Sequence, residues 1–298
     1  MTRTGYVTLV GRPNAGKSTL LNRFVGQHLS IVTPKAQTTW QRVTGLLTTD
    51  FTQLIFLDTP GLLEARDLLQ RAMLGAALEA LHEADVVLLV VDTLRSPTRA
   101  ETTRIDEALA GVSAPVHIAL NKIDRAEPAN VDAWAQWAST GPRGVVHRIS
   151  ALDGEGTDRL LDAVARDLPE GPFLYPADDI AAQPVRFFVS ELVRETVFQK
   201  YGEEIPYSVF CQVEEYREEQ DPIYILVNIF VERKSQKAIL VGSGGRAIRE
   251  LGTTARAKIE HFTGRRVYLD LWVKPLKSWR KSRSHLGELG FRVPEDGE

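Results

Sequence analysis

Eight residues near the start of the chain, Gly11, Arg12, Pro13, Asn14, Ala15, Gly16, Lys17 and Ser18, have the types and spacing of a phosphate cradle. Glycines at both ends of the loop let backbone N–H groups close on phosphate oxygens. Lys17 can reach the outer phosphates, and the Ser18 hydroxyl can ligate Mg²⁺. An apolar stretch, Tyr6 to Val10, leads into the loop, and Ser18, Thr19, Leu20, Leu21 and Phe24 open a helix behind it. The anion therefore meets a helix N-terminus, where unpaired N–H groups favour negative charge.

Four further segments carry compatible chemistry. Asp58, Thr59, Pro60 and Gly61 follow an apolar run; the aspartate can hold Mg²⁺ through water, and the glycine can offer its N–H to a γ-phosphate. Asn121, Lys122, Ile123 and Asp124 bear on the base. The Asp124 carboxylate accepts both N–H donors of a guanine edge, whereas adenine presents an acceptor and no second donor there. Lys122 is expected to cover the base with its stem, Asn121 to tie neighbouring loops, and the Ala151 N–H of Ser150-Ala151-Leu152 to meet the guanine carbonyl. Residues 35–42, KAQTTWQR, are polar and contain Thr38 and Thr39; Thr39 is the favoured Mg²⁺ ligand of a segment that orders with triphosphate and loosens after hydrolysis.

These segments need a scaffold that gathers loops. Apolar runs at 53–58, 85–92, 116–121 and 145–150 alternate with helical stretches from Ser18 and at 68–82, 99–109, 131–137 and 157–168, and 43–49 reads as an antiparallel edge strand. That alternation is an α/β, doubly wound, mostly parallel sheet of the P-loop NTPase kind, and all the motifs fall at strand C-termini, where such sheets bind ligands. A Pro- and Gly-bearing stretch then breaks the pattern, giving a nucleotide domain over 1–168, a linker over 169–183 and a second domain over 184–298.

The second domain reads as a helix around 188–201, strands near 206–215 and 223–233, a short helix at 235–241, Gly242-Ser243-Gly244-Gly245, a longer helix ending at Gly264, and a strand at 266–274. Net charge is −3 over 298 residues, yet Arg233 to Arg283 holds 14 Lys and Arg against three acids, a local +11 that marks a polyanion partner. No apolar run approaches the roughly 18 residues a membrane span requires. The single cysteine, Cys211, with no leader segment before the first strand, points to a reducing cytoplasm, and the six scattered histidines form no metal-ligand spacing.

In residues 5–152 the motifs resemble the translation-factor-like GTPases, which implies GTP hydrolysis to GDP and phosphate with Mg²⁺. Leu62 stands where Ras-like relatives use a water-orienting glutamine, and Asn14 is the position that in similar proteins helps hold a potassium ion, so Lys17, Asn14 and Gly61 are the expected catalytic set. The second domain resembles a type II KH domain, an α+β fold whose glycine turn clamps about four nucleotides. Its nearest phosphate partners are Lys234, Lys237, Arg246 and Arg249; Ser243 departs from the lysine many such turns carry.

Over nearly its full length, including ELVRE (191–195), LDLWVK (269–274) and the closing KSWRKSRSHLGELGF, the chain resembles the bacterial Era family. The resemblance implies an RNA-binding GTPase, a monomer, that contacts the 3′ end of 16S rRNA in maturation of the 30S subunit and associates peripherally with the membrane. Trp40 departs from the arginine usual after the paired threonines. Two other classes make different predictions: a metabolic P-loop kinase would show no GTP selectivity, and a GTP-regulated switch docking on membrane or protein would not co-purify with ribosomal subunits.

Overall fold

In a computed structural model, residues 1–35, 37–62, 64–140 and 144–294 are described. They divide into two compact units, one taking in the described residues of Met1–Ser30, Ala36–Ala182 and Phe291–Glu298, the other Ile31–Lys35 and Gln183–Gly290.

The first unit runs β1 (Arg3–Val10), α1 (Lys17–Val25), β2 (Val43–Thr48), β3 (Thr52–Asp58), α2 (Leu68–His82), β4 (Val86–Asp92), α3 (Arg99–Leu109), β5 (Val116–Asn121), α4 (Pro128–Ser139), β6 (Val145–Ile149) and α5 (Thr157–Asp167). Its sheet has the order β2-β3-β1-β4-β5-β6. β2 pairs antiparallel to β3 and every other neighbour is parallel. Strands covered by helices on both faces must be apolar throughout, and β4, VVLLVVD, is buried along its length up to its last residue. Chain order reverses at β1, so the crevice beyond its C-terminal end is the switch point at which ligands of open α/β sheets bind.

The stretch 169–182 departs from the linker expected of it, because it packs against the first unit. Thr4 donates its N–H to Pro169 O, Leu46 to Ile180 O and Ala182 to Thr44 O. The buried Gln53 amide closes the arrangement, accepting from the N–H groups of Leu174 and Tyr175 and donating to Tyr175 O. The chain end differs too: Phe291 to Pro294 cluster with the first unit, where Arg292 pairs with Glu79 at 3.1 Å.

The second unit runs α6 (Val185–Lys200), α7 (Ile205–Ser208), β7 (Phe210–Arg217), β8 (Ile223–Val231), α8 (Lys234–Val241), α9 (Arg246–Thr263), β9 (Val267–Pro275) and α10 (Arg283–Glu288). β7 pairs antiparallel and β9 parallel with the central β8. Ile225, Val227 and Ile229 of β8 form one buried core with Val193 and Val197 of α6 and Leu251, Ala255 and Ile259 of α9. The strand expected from Pro206 starts four residues later, since Pro206 lies in the first turn of α7, where its missing N–H costs nothing.

Candidate functional site

The loop from Gly11 to Gly16 bends through positive φ at Gly11 (144°), Asn14 (64°) and Gly16 (102°). Close approach makes two of these glycines obligatory. A Cβ on Gly11 would lie 2.2 Å from Val90 O, and one on Gly16 2.2 Å from Asn121 Nδ2. Lys17 opens α1 and is buried; its Nζ donates to Gly11 O at 3.2 Å and Arg12 O at 3.1 Å, which holds the ammonium along the inside of the loop. Arg12 is held by Glu101 of α3 at 2.9 Å. Thr19 is the third residue of the helix whose N-terminus this loop caps.

Three oxygens converge beside it. Ser18 Oγ donates to Asp58 Oδ2 at 2.7 Å and lies 3.1 Å from Thr39 Oγ1, which in turn reaches Asp58 Oδ2 at 3.3 Å. Asp58 is fully buried, and its Oδ1 has no hydrogen-bond partner among the described residues. Burial raises the Asp58 pKa, while the Lys17 charge and the Ser18, Ser30 and Thr39 hydroxyls oppose that rise. Two hydroxyls around a desolvated carboxylate with a spare lone pair are the oxygen-only donor set that suits Mg²⁺. Beyond the aspartate, Thr59 Oγ1 donates to Leu9 O at 2.8 Å. Gly61 follows Pro60 against the cradle, where a Cβ would stand 2.4 Å from the nitrogen of Pro13. Leu62 is buried and donates its N–H to Gly11 O at 2.9 Å, so its side chain sits in packing.

Burial pushes the Lys17 pKa down to about 8, with the Asp58 carboxylate pulling it back upward. Phosphate oxygens favour the ammonium form and raise that pKa again, so nucleotide binding takes up a proton wherever Lys17 is partly neutral. GDP affinity should therefore be flat below pH 8 and fall as pH rises through it, approaching about tenfold per pH unit. Calorimetric titrations across that range check this; a constant affinity up to about pH 9.5 would contradict it.

The base side is built by three loops pinned together. Asn121 donates from Nδ2 to Ala15 O and accepts at Oδ1 from the Ala151 N–H, both at 2.8 Å. The Ala151 N–H, expected to meet a guanine carbonyl, donates here to Asn121. Lys122, at φ 73°, sends Nζ to Asn14 O and Asp92 Oδ2, each at 2.7 Å. Asp124 is exposed at the start of the following turn, and Ser150 is buried, its Oγ accepting from the Asp153 N–H. Three supporting residues escaped the sequence reading. Arg23 of α1 donates from Nε to Ala151 O at 2.7 Å and from its guanidinium to Leu152 O, Thr93 donates its hydroxyl to Asn121 O, and Asp92 holds Lys122. Nothing in their local sequence marks them.

In the second unit, Gly242, Gly244 and Gly245 all have positive φ (70°, 59° and 76°), which turns the chain sharply between α8 and α9. A Cβ on Gly242 would meet Ala247 Cβ at 2.7 Å, while Gly244 faces open space. Gly245 caps α9, and Arg249, one turn in, donates to Gly244 O at 2.9 Å. Ser243, Lys237 and Arg246 are exposed around this turn. Lys234 is farther off than expected: it opens α8, eight residues and about 12 Å of helix from Gly242.

The comparisons with known proteins follow the same division. A family model described as 50S ribosome-binding GTPase matches residues 6–122, and one described as KH domain matches residues 204–280. GTPase Era of Geobacter metallireducens is 38% identical and that of Carboxydothermus hydrogenoformans 39% identical, each alignment covering 97% of this chain and 98% of the relative. The chain belongs to the GTPase Era family. Two solved Era structures, each 35% identical, cover 98% of this chain and all of their own. One, a variant of Era from Aquifex aeolicus bound to GDP·AlF₄⁻, has a TM-score of 0.92; the other, Era with MgGDPNP and nucleotides 1506–1542 of 16S ribosomal RNA, scores 0.91. As an Era-family GTPase, the enzyme hydrolyses GTP to GDP and phosphate with Mg²⁺, on the fold expected from its sequence: a P-loop GTPase domain followed by a KH domain.

Proposed function

We propose that this chain is an RNA-binding GTPase of small-subunit maturation, whose second unit takes the 3′ end of 16S rRNA while its first unit turns over GTP. The observation that carries the RNA half is the glycine turn: three positive-φ glycines between two helices, open at Gly244, with Lys237, Arg246 and Arg249 around it. A backbone that exposes N–H groups without side chains lets a phosphodiester approach closely, and the neighbouring cations neutralise it. A relative sharing 35% of residues is seen with this very RNA.

In the first unit, Gly11 to Thr19 enclose the phosphates and Lys17 draws charge from the outer ones. Ser18, Thr39 and Asp58 would hold Mg²⁺, which when bound neutralises charge on the phosphate oxygens. Gly61 offers its N–H to the γ-phosphate, and Asp124 selects guanine. Leu62, buried and without a polar atom, leaves the attacking water to be placed by other groups. Among the described residues no helix is long and apolar enough to cross a membrane. The reading places the protein in the cytoplasm with small subunits and, peripherally, on the inner face of the cell membrane.

The test is crosslinking of the GTP-bound protein to total cellular RNA, followed by sequencing and by fractionation of ribosomal subunits and membranes. Reads concentrated at the 3′ end of 16S rRNA are expected. Recovery on membranes or protein with no enriched RNA would favour a GTP-regulated docking switch instead.

A further inference from the structure

Asp92 lies outside every motif that marks the site, yet its contact with Lys122 joins three of the strand ends that build it. Asp92 ends β4 and stands in register with Asn121 at the end of β5. Its Oδ1 accepts from the Leu94 N–H at 3.0 Å, which fixes the carboxylate plane, and its Oδ2 accepts from Lys122 Nζ at 2.7 Å. The same ammonium donates to Asn14 O at 2.7 Å. Lys122 and Asp92 are 26% and 23% exposed, so solvent screens this pair less than an open surface one.

Lysine carries a long, flexible stem, and a single carbonyl would leave its ammonium free to swing into water. A carboxylate clamped by its own loop gives that ammonium a second, charged acceptor. The stem then lies stretched from the base loop to the phosphate loop. We infer that Asp92 is a positioning residue for guanine-nucleotide retention, acting through Lys122 to keep the lysine stem against the base. The inference rests on the assignment of Lys122 to the nucleotide site and adds the residue that orients it.

The experiment measures release of a fluorescent GDP from the full chain for Asp92→Asn, Lys122→Met and the double variant. Asp92→Asn is isosteric and keeps an acceptor for Leu94, so nucleotide-free thermal stability serves as the fold control. Release should quicken about tenfold in Asp92→Asn, the size of one lost charge-assisted hydrogen bond. Release should quicken at least as much in Lys122→Met, and adding Asp92→Asn to that background should change nothing further. KM for GTP should rise by more than kcat falls. Full additivity in the double variant, or unchanged release in Asp92→Asn beside fast release in Lys122→Met, would overturn the positioning role alone. Unchanged release in Lys122→Met would overturn it together with the assignment of Lys122.

Discussion

Asp124→Asn should convert the enzyme from a guanine to a xanthine nucleotide binder. In the proposed site a carboxylate at this position would accept two N–H donors from guanine, at the ring nitrogen and at the amino group beside it. An amide keeps one acceptor and turns an N–H towards the amino group, leaving two donors face to face; xanthine presents a carbonyl at that place and restores the pair. Asp124 is exposed in the turn after β5, so the exchange disturbs no packing. Sites that read a ligand by paired hydrogen bonds discriminate by about 10⁴, and the GTP-to-XTP preference should swing by roughly that factor. Competition binding of the two triphosphates measures it. A variant that still prefers GTP would remove Asp124 from base recognition.

The second large effect belongs to the glycine turn. Gly244→Asp together with Gly245→Asp should weaken RNA binding by about 100-fold or more while GTP turnover without RNA stays within about twofold. The structure shows why the domain should survive. A Cβ on Gly244 meets nothing within 4 Å, and one on Gly245 comes no nearer than 3.9 Å to Arg249. Aspartate tolerates the left-handed φ better than most residues. Two carboxylates then stand where a phosphodiester must approach, and the one at 245 lies close enough to Arg249 to draw off its charge. Anisotropy of a labelled oligonucleotide with the 3′-terminal sequence of 16S rRNA, beside a thermal melt, reads both quantities. Undiminished RNA affinity in a folded variant would move the RNA site away from Gly242–Gly245.

The parts of this protein legible in its sequence are those written in short windows. The bend from Gly11 to Gly16, the aspartate that ends β3, the apolar length of β4 and the glycines between α8 and α9 each follow from local sterics, capping or periodicity, so residue types at fixed spacing suffice. Tertiary structure decided which distant groups meet. It bound Arg23 to a loop 128 residues away at Ala151, set Asp92 against Lys122, and gave the Ala151 N–H to Asn121. It also laid residues 169–182 against β1, the Gln53 amide of β3 and β2 in turn, where composition alone reads as a linker. Such pairings depend on strand order and register, which bring together side chains with no periodic relation in the chain. A lone arginine in α1 or aspartate at the end of β4 carries no mark of its partner until the sheet has been assembled.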